Sequence, residues 1–386
     1  MEVVDLNFAL LRSLFDGTAL TAEVKNELNA KTLERLYTLS RRHDMAHLLA
    51  LALERNGCIT EDTPFSEELV NQQQLAVYRY ERIRYECEEL YCALEEAGID
   101  FLPMKGAVLR ALYPEPWMRT SCDIDLLVRE ADLDRTVNLL EKEKEYVNRG
   151  KAFHDVSLKS PTNVHLELHF SICENDEKID GLLRGVWQYA VPVDGTKHRY
   201  ELKNEYLFFH VIAHAYYHFL SGGCGIRFFL DLKLMREKLT YEKAWLLERL
   251  KECGLAKFYE EVCTLSEVWF GAGAPSEVTQ RLERYVLRGG VYGSVENHVS
   301  VGQQRKGGKF RYAMSRIFLP YKSLVLLYPK LKNRKWLTPF YQVRRWFRIV
   351  FCGRLKSSVR ELNANANTSK EYAEETKRLL NDLDLT

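Results

Sequence analysis

The sequence predicts an α+β protein: a mixed β-sheet core flanked by an N-terminal helical domain and a C-terminal helical region. Two observations carry this. Apolar residues recur at three-and-four spacing over 5–97 and again beyond 178, whereas 99–170 breaks into short segments with the period of a strand. Turn residues such as Gly57 and Gly98 stand where the helical stretches should stop.

The elements follow in order. LERLYTLSRRHDMAHLLALALERNG and ELVNQQQLAVYRYERIRYECEELYCALEEAG are amphipathic, so 1–97 reads as a helical domain. IDFLPM (99–104) is a strand, AVLRALY (107–113) a short helix, and YPEPW a loop broken by Pro114 and Pro116. CDIDLLV is the second strand, and 131–144 is a helix with an acidic first turn and a basic last turn, as the helix dipole favours. One or two strands fall within 146–160, and VHLELHF (164–170) is another. This α/β core spans 98–178. Helices resume over 179–300, basic aromatic helices fill 301–362, and NANANTS opens a linker and terminal helix over 363–386.

Composition bounds the class. At 386 residues, with 46% hydrophobic and 28% charged content, the chain has the make-up of a folded protein of two or three domains. No apolar run approaches the ~18 residues of a membrane span. MEVVDLNFALLRSLFDG is acidic where a secretory signal is basic, which predicts a cytoplasmic chain. The nine cysteines (58, 87, 92, 122, 173, 224, 253, 263, 352) are scattered and never form Cys-x-x-Cys, which predicts free thiols.

Chemistry concentrates in RTSCDIDLLV (119–128), where two aspartates one residue apart head an apolar run. Alternate side chains of a strand share a face, so Asp123 and Asp125 point the same way. Ionised carboxylates so placed repel, and drawing them toward a core is costly unless positive charge compensates. The pattern fits either a strand end in solvent or a divalent-metal site. In VHLELHF, Val164, Leu166, Leu168 and Phe170 share one face, and His165, Glu167 and His169 the other. Beside CDIDLLV, Glu167 completes a three-carboxylate cluster. Hard oxygen ligands suit Mg²⁺ or Mn²⁺ and the chemistry of phosphoryl or nucleotidyl transfer.

Upstream, Gly106 stands at a strand-to-helix junction where phosphate can approach the backbone, Lys105 offers a point charge, and Arg119 is a second triphosphate ligand. The other reading of this junction is an ordinary turn. NEYLFFHVIAHAYYHFL repeats His210, His214 and His218 at four-residue steps. The spacing suits a transition metal, but no suitably spaced carboxylate accompanies it and the aromatic neighbours predict a packed interior. Arg227 and Asp231, four apart, are spaced for an ion pair, or Arg227 holds a phosphate.

Taken in series, PMKGAVLRALYPEPWMRTSCDIDLLV, LELHF and AHAYYHF…GCGIRFFLDL resemble the bacterial nucleotidyltransferase family of the polymerase-beta superfamily, from about residue 30 to about 350. The resemblance implies a nucleotidyltransferase fold that uses metal to move a nucleoside monophosphate from an NTP to an acceptor. It places Asp123 and Asp125 as the Asp-x-Asp pair, Glu167 as the third carboxylate, and His214 and His218 along the cleft. His169 orients the carboxylates or faces the acceptor. The superfamily's Gly-Ser element is represented by Lys105-Gly106-Ala107, without its serine. Alternatives are a toxin-like transferase modifying tRNA or protein, and a catalytically inert nucleotide-binding scaffold.

The formal net charge of +1 conceals an asymmetry. Residues 301–360 hold sixteen Lys and Arg and no Asp or Glu. Interleaved with Trp336, Tyr341, Trp346 and Phe347, the basic residues of 305–360 suit RNA, a phosphorylated substrate or an anionic membrane surface. The favoured reading is instead that they pack and are neutralised internally against the acidic helices of 54–100.

Overall fold

Alternation of apolar residues along the strands decides which way the central sheet faces. A computed structural model describes residues 1–59, 63, 65–174, 176–351, 353 and 355–385. It contains two compact units, Met1–His214 with Ile226–Pro275, and Ala215–Gly225 with Ser276–Thr386. The architecture is α+β, a mixed five-stranded sheet with helices at both ends of the chain.

In the first unit, β1 (Phe101–Pro103), β2 (Asp123–Val128), β3 (Val147–Lys151), β4 (Asp155–Lys159) and β5 (His165–His169) pair in the order β1-β2-β5-β4-β3. Only β2 and β5 run parallel. Ile124, Leu126, Val128, Val156, Leu158, Leu166 and Leu168 form one apolar face against Leu90 and Leu94 of the long helix Ser66–Glu96 and Leu133 and Leu140 of the helix Leu133–Lys142. Each such side chain contributes about 1.5–3 kcal/mol by leaving water. That packing fixes the register, and the register sends the alternate residues, including both aspartates, to the other face.

Helices of the N-terminal segment begin where the sequence caps them: Thr21 accepts from Val24 N and Asn29 from Thr32 N. Both possible strands within 146–160 are present. The helix expected over 107–113 is shorter, an α-helical turn Gly106–Leu109 followed by the 3-10 turn Arg110–Leu112. The stretch after 178 is not purely helical either. Beyond the helix Glu177–Leu183, a ribbon pairs Ala190–Pro192 with Tyr200–Leu202, around a turn containing Asp194 and Gly195.

The second unit is helical. NANANTS, expected as a linker, instead ends the helix Leu355–Asn367 and caps the helix Lys370–Asp382. Asn365 is buried: its amide donates to Lys309 O (3.2 Å) and its Oδ1 accepts from Gln303 Nε2 (2.8 Å), while Ser369 Oγ accepts from Tyr372 N. Low complexity here is a set of specific polar contacts. The eight described cysteines are free, and Cys352 lies outside the described residues. No helix among the described residues is long and apolar enough to cross a membrane.

Candidate active site

Parallel pairing of β2 with β5 sets Asp123 opposite His165 and Asp125 opposite Glu167. Partners in register share a face, so carboxylates and imidazoles from two strands converge. Two sets of possible ligand atoms result, Asp123–His165–Glu167 and Asp125–Glu167–His169, each within 4.8 Å and sharing Glu167. Among these residues Asp125 and His169 are buried.

Positive charge arrives from β1. Its pairing continues past the last strand residue through Met104 N to Asp125 O (3.1 Å), which brings the next residue beside the cluster. Lys105 then turns the chain with φ of 42°, a conformation that costs a non-glycine residue roughly 1–3 kcal/mol. Its Nζ donates to Asp125 Oδ1 at 2.8 Å. His169 Nε2 lies 3.0 Å from the same oxygen and 3.5 Å from Glu167 Oε2.

These contacts set the protonation states. Burial opposes ionisation of Asp125, but the Lys105 ammonium and His169 overcome it and hold the carboxyl far below its usual range. Glu167 is lowered by its hydrogen bond from His169, against burial. Burial, Asp125 and Glu167 raise Asp123, which has no bonded cation among the described residues. His169 is raised: burial pulls it down, and the two carboxylates more than compensate.

The loop entering β2 is held at successive positions. His47 Nε2 meets Met118 O at 2.8 Å, and Thr120 Oγ1 donates to Asp44 Oδ2 at 2.8 Å. Arg119 forks onto Asp231 with Nε and Nη2 both at 2.8 Å, and Tyr113 donates to Asp231 Oδ1 at 2.8 Å. Arg227 donates to Thr120 O at 2.7 Å, and Arg110 donates to Ser121 Oγ at 2.8 Å.

Several expectations change here. Arg119 is buried and committed to Asp231, so its guanidinium braces the loop instead of facing a triphosphate. Asp231 consequently does not pair with Arg227, which reaches Thr120 and Asp44. Gly106 makes room for protein: a Cβ there would stand 3.1 Å from Arg119 Nη1. In the helical turn after it, the N–H groups of Ala107 and Val108 bond Met104 O and Lys105 O. His210 is buried and pushed down to about 3, first by desolvation and then by Lys105. His214 Nδ1 lies 3.5 Å from Glu174 Oε1. His218, on the same helix Asn204–Leu220, falls in the second unit.

Two residues given no role by the sequence reading also stand at the site. His165 shares its face with Glu167 by simple alternation, and its Nε2 contacts Ser157 Oγ at 2.8 Å. Ser121 supplies a hydroxyl beside Gly106, where the sequence motif lacks one. A cavity of ≈ 1120 Å³ in the second unit, bordered by Tyr372 and Arg360, is not lined by Asp123, Asp125 or Glu167.

A model of the uncharacterised nucleotidyltransferase family matches residues 29–271, and the chain belongs to that family. The match stops short of the expected 350. No curated protein and no solved structure matches the chain.

Two outcomes follow from this geometry. Asp231→Ala strands a buried guanidinium and should cost about 3–5 kcal/mol in urea unfolding. For His210, the unfolded imidazole takes a proton below about 6.5, while the folded one stays neutral down to about 3. Its contribution to stability is therefore present above pH 6.5 and lost as pH falls, at about 1.4 kcal/mol per pH unit. His210→Phe should remove that component from the slope of unfolding free energy against pH.

Proposed function

We propose that the chain is a metal-dependent nucleotidyltransferase of the polymerase-beta superfamily that moves a nucleoside monophosphate from an NTP to a hydroxyl or phosphate acceptor. One observation carries this reading: the parallel β2–β5 pair sets Asp125 beside Glu167, with Asp123 one strand step away. Family membership supports the reaction class.

The donor set fits a hard divalent cation, Mg²⁺ or Mn²⁺, held by Asp123, Asp125 and Glu167, with His165 and His169 at its margins. Such an ion would supply charge to a triphosphate and to an attacking oxygen. The chain's own residues divide the remaining work. Glu167, the more accessible partner beside buried Asp125, stays ionised through His169 and is placed to accept the acceptor's proton. Lys105 keeps Asp125 ionised and carries the positive charge nearest the carboxylates. Arg227, part-exposed, is the second cation available to phosphate, while Arg119 and Gly106 hold the loop that presents both aspartates. Free thiols fit a reducing, cytoplasmic setting.

Calorimetric titration of the four NTPs with Mg²⁺ into the wild type and into Asp123→Asn/Asp125→Asn tests the reading. The expected result is binding of one nucleotide that needs Mg²⁺ and weakens at least 100-fold in a variant with unchanged circular dichroism. Absence of binding by every NTP, or equal binding by the variant, would overturn it.

A further inference from the structure

The helix Thr338–Phe351 turns its apolar side outward. At 100° per residue, Phe340, Val343, Phe347, Val350 and Phe351 fall within an arc about 100° wide. All five are exposed, from 44% at Val343 to 77% at Phe351. Phe347 and Phe351 stack on each other with ring centroids 6.0 Å apart. The opposite side is anchored: Tyr341 and Gln342 are buried, Arg345 Nη2 donates to Arg316 O (2.8 Å) and Trp346 Nε1 to Ile317 O (2.9 Å). The helix therefore cannot simply roll its phenylalanines inward. Trp336, 78% exposed, and Leu326 and Leu327 are further exposed apolar side chains of the same segment.

Charge surrounds this surface on one side of the ledger only. Arg344 and Arg348 adjoin the arc, and Lys322, Lys330, Lys332, Arg334 and Lys335 precede it. None of the seven has a carboxylate partner among the described residues. The internal neutralisation expected for this region is thus corrected: Tyr341, Leu324 and Leu331 form a small core, while most of the cations and the larger aromatics face solvent.

We propose that residues 321–351 dock on an anionic lipid bilayer. Trp336 and the phenylalanine arc enter the boundary between headgroups and acyl chains, and the Lys and Arg side chains meet anionic headgroups. At 14 residues the helix is about 21 Å long, too short to cross the ~30 Å hydrocarbon core, so it lies in the interface. A second copy of the chain would set sixteen cations against sixteen. Single-stranded RNA would use the aromatic faces but leave Val343, Val350, Leu326 and Leu327 without a stacking partner. These residues lie beyond 271, outside the family match.

Flotation of the full chain with vesicles tests this, comparing phosphatidylcholine alone with phosphatidylcholine containing 30% phosphatidylserine. Binding should require phosphatidylserine and weaken in high salt. Phe347→Ser/Phe351→Ser should weaken it at least tenfold, and Arg344→Gln/Arg348→Gln about fivefold per charge removed, with circular dichroism unchanged in both. Failure to float with phosphatidylserine vesicles, equal flotation with neutral ones, or indifference to the serine substitutions would overturn the proposal. So would tight binding of single-stranded RNA by a chain that ignores vesicles.

Discussion

Three carboxylates on one face of a sheet cannot all remain ionised in a partly buried site unless positive charge stands among them. Lys105 Nζ on Asp125 and His169 between Asp125 and Glu167 provide that charge. Much of the first unit can be understood as the means of holding it in place. The apolar face fixes the strand register, the register aims the carboxylates, and the continuation of β1 past Pro103 delivers the lysine. Asp123, without a bonded cation among the described residues, is the carboxylate whose ionisation is opposed. That imbalance is what a further cation would relieve.

A second constraint lies behind the first. The loop before β2 has only the 3-10 turn Pro116–Met118 to stiffen it, and buried polar contacts add to that, with the Arg119–Asp231 fork at the centre. A buried ion pair adds little net stability compared with apolar packing, but removing one partner is expensive. Its value here is positional: residues 118–121 are tied to Asp44, His47, Arg227 and Asp231, so Asp123 enters its strand at a defined point.

Periodicity made the fold class legible. Alternation in VHLELHF assigned Glu167 and His169 to one face because Leu166 and Leu168 pack in the apolar core on the other. Local spacing failed where partners come from distant segments. Arg227 and Asp231 sit one helical turn apart, yet Asp231 takes Arg119, 112 positions away, whose planar fork matches its two oxygens. Gly106 looked like room for phosphate, and the room is taken by that same guanidinium. Composition also misled at NANANTS, where Asn365 bonds a backbone carbonyl and Gln303, and Ser369 caps the next helix. Aromatic density suggested packing over 301–360, but density does not say which side of a helix is covered.

The central claim, that the carboxylate cluster is a cation site with Lys105 as its resident charge, is most directly tested by Mn²⁺ titration followed through the electron paramagnetic resonance signal of the free ion. Wild type should bind Mn²⁺, and Lys105→Met, with the competing ammonium removed, should bind it at least tenfold more tightly. Retention of Mn²⁺ by neither chain, or an affinity that Lys105→Met leaves unchanged or lowers, would contradict the claim.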